Sequence, residues 1–360
     1  MNAPIRVMIV EDSQVVREFL EFLIGRDPRL TVVASVASAE QALEKLHEVR
    51  PDVISLDIRL PGMNGLEATG RIMAERPTPI VVCSASVNDE DLNISMNALR
   101  AGALAVVEKP VGTNHQDYQL LAERLCTQLV LMSKVMVVRQ RLGRGLKFAA
   151  TPPDAGPAMQ PAAVQRGGAV RPRFQALGIV ASTGGPNALS QILGSLDKQF
   201  PLPILLVQHI TASFLEGFVH WLNSICPLSV TVARAGEVPQ RGHIYVAPVE
   251  RHLALSPTGI QLIDAEPVSS QRPSGTVLFR SMARSLGPAA LAALLTGMGD
   301  DGAIGLKEIR DAGGHTIAEH ESTAVVYGMP GVAVRLGAAC EVLPLDEIAA
   351  RIRELVKSGP

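Results

Sequence analysis

Short apolar runs alternate with amphipathic stretches through the first third of the chain. The runs IRVMIV (5–10), LTVVASV (30–36), DVISLDI (52–58), PIVVCSA (79–85) and ALAVVEKP (103–110) are β-branched and bounded by polar or turn residues, which predicts five strands. Between them, apolar positions recur with helical spacing over 13–24, 39–49, 66–75 and 89–101, with Ser13 and Asp89 placed as N-caps. A fifth helix is expected from Asp117 to about residue 141. Strand–helix alternation of this kind specifies a parallel sheet covered by helices on both faces.

The stretch AATPPDAGPAMQPAAVQRGGAVRP (149–172) interrupts the pattern. It has neither period and almost no large apolar groups, so it buries too little surface to offset its ordering entropy and reads as a linker. From Phe174 a second α/β pattern begins. ALGIVAS (176–182), LPILLVQH (202–209), LSVTVAR (228–234), HIYVAP (243–248) and ALLTGMG (293–299) are strand-like. HLALSPTGIQLI (252–263) has the form of a hairpin around Pro257-Thr258-Gly259, and 345–356 is a helix with Asp346 near its start. The expected fold class is α/β, with two doubly wound domains: a flavodoxin-like (βα)5 unit at 4–122 and a Rossmann-like, mainly parallel unit at 173–357. A helical extension and linker at 123–172 joins them.

Composition narrows the function. With 47% apolar residues among 360, each half can bury a core of ordinary size. A formal net charge of −2 and only 3% aromatics argue against nucleic-acid binding, which needs a basic field and stacking surfaces. Cys83, Cys126, Cys226 and Cys340 are far apart and form no CxxC, so neither zinc nor a disulfide framework is indicated, and reduced thiols in a cytosol are expected. The N-terminus turns acidic before any signal-like run develops, and the apolar stretches are too short for membrane insertion.

Chemistry-bearing residues gather at predicted strand ends. Glu11 and Asp12 follow the first strand, Asp57 ends the third, Ser84 the fourth and Lys109 the fifth. In an open parallel sheet these ends share the edge where ligands bind. Three converging carboxylates repel one another unless a cation lies between them, and hard oxygen donors suit Mg2+. A carboxylate held against a metal and a lysine can accept a phosphoryl group. Glu11-Asp12, Asp57, the following LPGMNG, Ser84 and Lys109-Pro110 resemble, in order and spacing, the response-regulator receiver family over about residues 4–122. The resemblance implies phosphorylation at Asp57 and Mg2+ held by Asp12, Asp57 and the Arg59 carbonyl, with Glu11 just behind the metal. It also implies that the Ser84 hydroxyl moves to the phosphoryl group and that Lys109 pairs with it. Val106 stands where the family often has an aromatic switch residue, so the switch is expected to run through Ser84 and the adjacent helix.

In the second unit, ALGIVASTGGPNAL is a strand, a Gly-rich turn and a helix start, with Ser182 at the strand end. Free N–H groups at such a start can face a developing negative charge. A Gly-Gly turn alone suits phosphate or dinucleotide binding equally well, but neither GxGxxG nor a P-loop lysine is present. His209 follows another strand, and Asp301 lies in the Gly-rich turn after a third. A serine hydroxyl needs a base to become nucleophilic, a histidine can serve as that base, and a carboxylate can orient the imidazole. The chain order Ser, His, Asp differs from the familiar serine-hydrolase orders, but geometry rather than order defines a triad.

The stretches ASTGGP (181–186), QHITASF (208–214), IYVAP (244–248), RPS (272–274), TGMGDDGAIGL (296–306) and HTIAEHESTAVVYGMP (315–330) resemble the chemotaxis protein-glutamate methylesterases. That resemblance covers most of 174–357 and implies Ser182 as nucleophile, His209 as base and Asp301 as its orienting acid. The Thr183 and Met298 backbone N–H groups then become oxyanion-hole candidates. It further implies hydrolysis of glutamate γ-methyl esters, with glutamine deamidation as a second reaction and no cofactor for ester hydrolysis. Methyl-accepting chemoreceptors would be substrates and a chemotaxis sensor histidine kinase the phosphodonor, with the chain acting as a cytoplasmic monomer. Val180 replaces a common Gly, Asp300 a common Asn, RPSGT lacks a frequent acid, and QHITASF lacks the usual prolines; Asp300 is expected to face solvent. The competing readings are a non-enzymatic receptor- or kinase-binding module and a hydrolase that chiefly deamidates.

Overall fold

The computed structural model describes residues 3–84, 94, 96–99, 101–110, 118–135, 137 and 174–357. Of the helix expected at 89–101, Ile94 and residues 96–99 are described and helical, while its Asp89 cap lies outside the described residues. The start of the fifth helix at Asp117 and the linker at 149–172 also lie outside them.

Strands β1 (Ile5–Val10), β2 (Leu30–Val36), β3 (Val53–Asp57), β4 (Ile80–Ser84) and β5 (Ala105–Glu108) form a sheet of order β2-β1-β3-β4-β5, with every pair parallel. Every residue of β3 and β4 is buried, as expected of strands covered on both faces. Helices α1 (Gln14–Gly25), α2 (Ala39–Val49) and α3 (Gly65–Glu75) each start on a side-chain cap. Ser13 Oγ accepts from Val16 N–H, Ser38 Oγ from Gln41 N–H and Asn64 Oδ1 from Glu67 N–H, so each cap satisfies a free amide of its first turn. Helix α4 (Tyr118–Met132) ends well before residue 141.

The second sheet has seven parallel strands: β6 (Ala176–Ala181), β7 (Ile204–Gln208), β8 (Ser229–Val232), β9 (His243–Val246), β12 (Ala290–Leu294), β13 (His315–Glu319) and β14 (Glu341–Leu343). Their order is β14-β13-β12-β6-β7-β9-β8. The hairpin β10 (His252–Ser256) and β11 (Gly259–Ile263) is antiparallel and separate, as its turn residues predicted. It is tied to helix α7 (Gly275–Leu286) by Ser281 Oγ, which accepts from Leu255 N–H, and by Ser285 Oγ, which donates to Leu255 O. The remaining helices are α5 (Gly185–Gly194), α6 (Ala212–Ile225), α8 (Ala303–Asp311), α9 (Met329–Arg335) and α10 (Leu345–Lys357).

The structure corrects the expected strand at 293–299. The strand is Ala290–Leu294, and the chain bends from Thr296 on, with Gly297 in an isolated parallel bridge to Tyr327. Its ALAAL sequence lacks β-branched residues and suits a helix as well as a strand, so the pattern alone does not fix where the strand begins and ends. Strands β13 and β14 were not anticipated; HTIAE and EVL are too short and polar to show a period.

Strand β6 is central, with β7 on one side and β12 on the other, so the chain reverses its winding direction around it. Such a switch point opens a crevice at the carboxyl ends of the strands. Ile179 on β6 is wholly buried and pairs with Leu206 and Ala293. Ile179→Ala should therefore destabilise this domain by ~2–5 kcal/mol. Trp221, the only tryptophan, is buried on α6 and reports that transition by fluorescence during urea unfolding. An unchanged midpoint would mean that the centre of the sheet is not packed as described.

Candidate active site and phosphoacceptor pocket

The register of the second sheet brings the three expected residues together. Ala181 pairs with Gln208 across β6 and β7, so Ser182 and His209 each lie one residue beyond that pair. His209 N–H donates to Ala181 O at 3.1 Å, and the Gln208 side-chain amide donates to Ser182 O at 2.9 Å and His209 O at 3.0 Å. Gln208 thus clamps together the loops that carry Ser182 and His209. Gly185 permits this approach: a Cβ there would lie 2.1 Å from Gln208 Oε1. Gly184, at φ +79, turns the chain into α5, and a Cβ on it would meet the Val325 side chain.

Asp301 Oδ2 lies 2.9 Å from His209 Nε2. A carboxylate only accepts, so Nε2 carries the proton and Nδ1 is left as the acceptor nitrogen. Nδ1 is buried and has no hydrogen-bond partner among the described residues. The carboxylate also accepts from Ser274 Oγ at 2.6 Å, Gly275 N–H at 2.6 Å and Thr276 N–H at 3.1 Å. These are the cap and first residues of α7, so Asp301 sits on that helix's N-terminus. Burial pushes its carboxyl upward, but the hydrogen bond and charge of His209 and the bonds from Ser274 and Gly275 outweigh this and hold it below 3.8. His252, buried, accepts from Ser274 N–H through Nδ1 and faces Glu266 O through Nε2, which fixes the cap itself. Asp300 is exposed, as expected.

The two oxyanion candidates flank the serine. Among the described residues, neither the Thr183 nor the Met298 N–H donates to a protein acceptor. Thr296 organises both loops. It accepts from Ser182 N–H through its carbonyl, donates through Oγ1 to Thr183 O at 2.9 Å, and donates through its own N–H to Glu319 Oε2 at 2.8 Å. Sequence reasoning singled out none of Gln208, His252, Ser274, Thr296 and Glu319. Gln208, Ser274, Thr296 and Glu319 lie within the matched stretches and only His252 does not, and position before a helix is the one available signal for Ser274.

At the first sheet, Glu11, Asp12 and Asp57 each bring a carboxylate oxygen within 4.8 Å of the others, a hard oxygen set that can hold a metal ion. Glu11 and Asp57 are buried and Asp12 is exposed. Lys109 Nζ reaches Glu11 Oε2 at 2.7 Å and Asp57 Oδ2 at 2.8 Å. Burial pushes both carboxyls upward, and for Glu11 the charge of Asp57 adds to it; Lys109 opposes the rise in each. Arg59 N–H donates to Asp57 Oδ1. Ser84 Oγ is buried and has no partner in the described residues, and Val106 packs into the apolar core.

The two domains touch through α6, which begins three residues after His209. Ser213 Oγ donates to Glu108 Oε2 at 2.7 Å, and Trp221 Nε1 donates to Asn97 Oδ1 at 3.3 Å. Val325 and Val326, beside the Thr296 loop, pack against an apolar cluster of the first domain. None of the described helices is long and apolar enough to cross a membrane.

A phosphoacceptor-type α/β domain joined to an α/β domain with serine, histidine and aspartate at one sheet edge defines the class: a hydrolase under receiver control. Residues 7–118 match the response regulator receiver domain family, and residues 177–352 match the CheB methylesterase family. The chain is 56% identical to protein-glutamate methylesterase/protein-glutamine glutaminase 2 of Paramagnetospirillum magneticum, covering 100% of this chain and 99% of that one. It is 45% identical to protein-glutamate methylesterase/protein-glutamine glutaminase of Nitrosospira multiformis, over 98% and 97%. The crystal structure of the Thermotoga maritima CheB methylesterase catalytic domain aligns with a TM-score of 0.50 at 35% identity, covering 51% of this chain and 99% of that one. This chain belongs to the protein-glutamate methylesterase/protein-glutamine glutaminase family, and it is a hydrolase.

Glu319 is fully buried at the end of β13, and burial pushes its carboxyl from 4.5 to about 6 despite the bond from the Thr296 N–H. Ionisation is therefore harder in the folded chain than in the unfolded one. The resulting penalty is absent below pH 4.5, grows as pH rises to about 6 and is constant above it. Glu319→Gln should be more stable than the parent by roughly 2 kcal/mol at pH 7 to 8, with the advantage vanishing below pH ~4.5. Thermal unfolding across pH checks this; a pH-independent difference would contradict it.

Proposed function

We propose that the chain hydrolyses glutamate γ-methyl esters on chemoreceptors, through Ser182, His209 and Asp301, and that phosphorylation of Asp57 activates it. The observation that carries the reading is the 2.9 Å bond from His209 Nε2 to a carboxylate seated on a helix N-terminus, which leaves Nδ1 as the base beside the serine strand. Ser182 Oγ attacks the ester carbonyl carbon as His209 Nδ1 takes its proton. The oxyanion forms against the Thr183 and Met298 N–H groups. On collapse the methoxide leaves with the proton from His209 as methanol, and Asp301 stabilises the imidazolium meanwhile. Water, deprotonated by His209, then cleaves the acyl-enzyme and restores the glutamate carboxylate and the serine. A glutamine side chain undergoes the same sequence with ammonia as leaving group.

The division into 4–122, 123–172 and 173–357 is part of this proposal. In the first domain, Asp12, Asp57 and the Arg59 carbonyl, with Glu11 behind, would hold Mg2+, which would offset repulsion between Asp57 and incoming phosphoryl oxygens. Ser84 and Lys109 contact the phosphoryl group. The kinase that supplies it is a sensor histidine kinase of the same signalling system. Lys109 is joined by one peptide bond to Glu108, whose carboxylate holds Ser213, so a shift of Lys109 toward a phosphoryl group strains the contact between the domains. Regulation of this kind requires that phosphorylation favour the undocked state.

Ser182→Ala should lower methanol release from methylated receptor membranes by several orders of magnitude, on the order of 10^4 or more. Release at the parent rate in that variant would refute the assignment. A small-molecule phosphodonor with Mg2+ should raise ester hydrolysis, and Asp57→Asn should abolish the rise while keeping basal turnover. A rise that persists in Asp57→Asn would remove the receiver from the account.

A further inference from the structure

Beyond the three residues of the proposed mechanism, the second domain buries a carboxylate to which that mechanism gives no part. Glu319 ends β13, two strands from the serine, and is 0% exposed. One oxygen accepts from Thr296 N–H at 2.8 Å; the other, Oε1, is buried with no partner among the described residues. A buried carboxylate oxygen left unmatched is costly, and an apolar side chain of the same size would avoid the cost. What the carboxylate holds explains why it is there.

Thr296 is hydrogen-bonded to the Ser182–Thr183 side of the proposed oxyanion site and lies two residues before Met298 on the other. Its carbonyl accepts from Ser182 N–H at 3.0 Å, and its hydroxyl donates to Thr183 O at 2.9 Å while accepting from Val326 N–H at 2.9 Å. The next residue, Gly297, donates to Val326 O at 3.0 Å and accepts from Gly328 and Met329 N–H. The peptide after Gly297 carries the Met298 N–H. The Thr183 and Met298 donors are therefore set on either side of a single threonine, and the amide of that threonine is held by Glu319. Space is tight as well: a Cβ on Gly297 would lie 2.7 Å from Ser182 Cβ. A small displacement of Thr296 is thus passed to both donors.

We infer that Glu319 is a positioning residue for ester hydrolysis, holding through Thr296 the backbone that presents Ser182 and the Thr183 and Met298 N–H groups to the substrate carbonyl. The inference rests on the reading of Ser182 as nucleophile. It assigns Glu319 no contact with the substrate. Donors that act on a developing charge must be in place beforehand, so their loosening affects the chemical step rather than substrate capture.

The test is steady-state methanol release from methylated receptor membranes by the full-length chain. In Glu319→Ala, kcat should fall on the order of 10- to 100-fold while KM stays within about two-fold. Glu319→Gln should restore kcat to within about three-fold of the parent, because the amide oxygen still accepts from Thr296 N–H. Equal kcat in Glu319→Ala and the parent overturns the inference, as does a Gln variant as impaired as the Ala variant. Should Glu319→Ala fail to fold by circular dichroism, Glu319→Leu makes the same comparison, filling the space without an acceptor for the Thr296 N–H. It should lower kcat as Glu319→Ala does, and a parent-like kcat in it sinks the inference. Ser182→Ala, assayed in parallel, separates the two failures. If it stays active, the nucleophile assignment is wrong; if it is inactive while Glu319→Ala is fully active, only the role of Glu319 is wrong.

Discussion

The second domain depends on the placement of one charge, the Asp301 carboxylate on the N-terminus of α7. A carboxylate buried alone is prohibitively unstable. Here four donors surround it: the His209 ring, the Ser274 hydroxyl and the Gly275 and Thr276 amides. Two of these are backbone groups that any helix leaves free in its first turn. The helix thus stabilises the acid, and the acid in turn fixes the protonated nitrogen of the histidine. Thr276 closes the arrangement from the other side, since its hydroxyl accepts from Gly302 N–H and so anchors the loop that carries Asp301. Few substitutions in this set could be neutral, because each donor completes another element's hydrogen bonding.

The same economy governs the first domain, with the signs arranged differently. Glu11 and Asp57 are buried side by side, and the ammonium of Lys109 lies between them. One cation against two buried anions leaves excess negative charge at the pocket, with exposed Asp12 adding to it. The imbalance is what a divalent cation corrects, and it is also what makes Lys109 responsive to any new anion at Asp57. Because Glu108 is the residue before Lys109, the pocket and the contact with Ser213 belong to one short piece of backbone.

Much of this was legible in the sequence, and the reason is topological. In a parallel sheet every strand ends on the same edge, so a residue just past a strand is placed before any packing is known. Ser182, His209, Asp57, Ser84 and Lys109 could all be positioned that way. Helix starts at Ser13 and residue 39 were equally clear, because a cap followed by helical spacing is a local signal. The β12 strand was displaced in the reading because ALAAL is as acceptable to a helix as to a strand; its neighbours β6 and β13, not its own composition, make it extended.

The supporting residues were hidden for a different reason. Ser274, Thr296 and Glu319 act through hydrogen bonds to residues 23 to 113 positions away. Nothing in their own neighbourhoods distinguishes them: a serine before a helix is ordinarily only a cap, and a glutamate after a short strand is ordinarily solvent-exposed. Glu319 shows the point most clearly. The sequence HTIAEHE offers two glutamates two residues apart, and only the strand pairing of β13 beside β12 turns the first inward to the Thr296 amide while the second is exposed. The first is thus drawn into the site's framework by sheet register, a property of three strands together that no single stretch of sequence records.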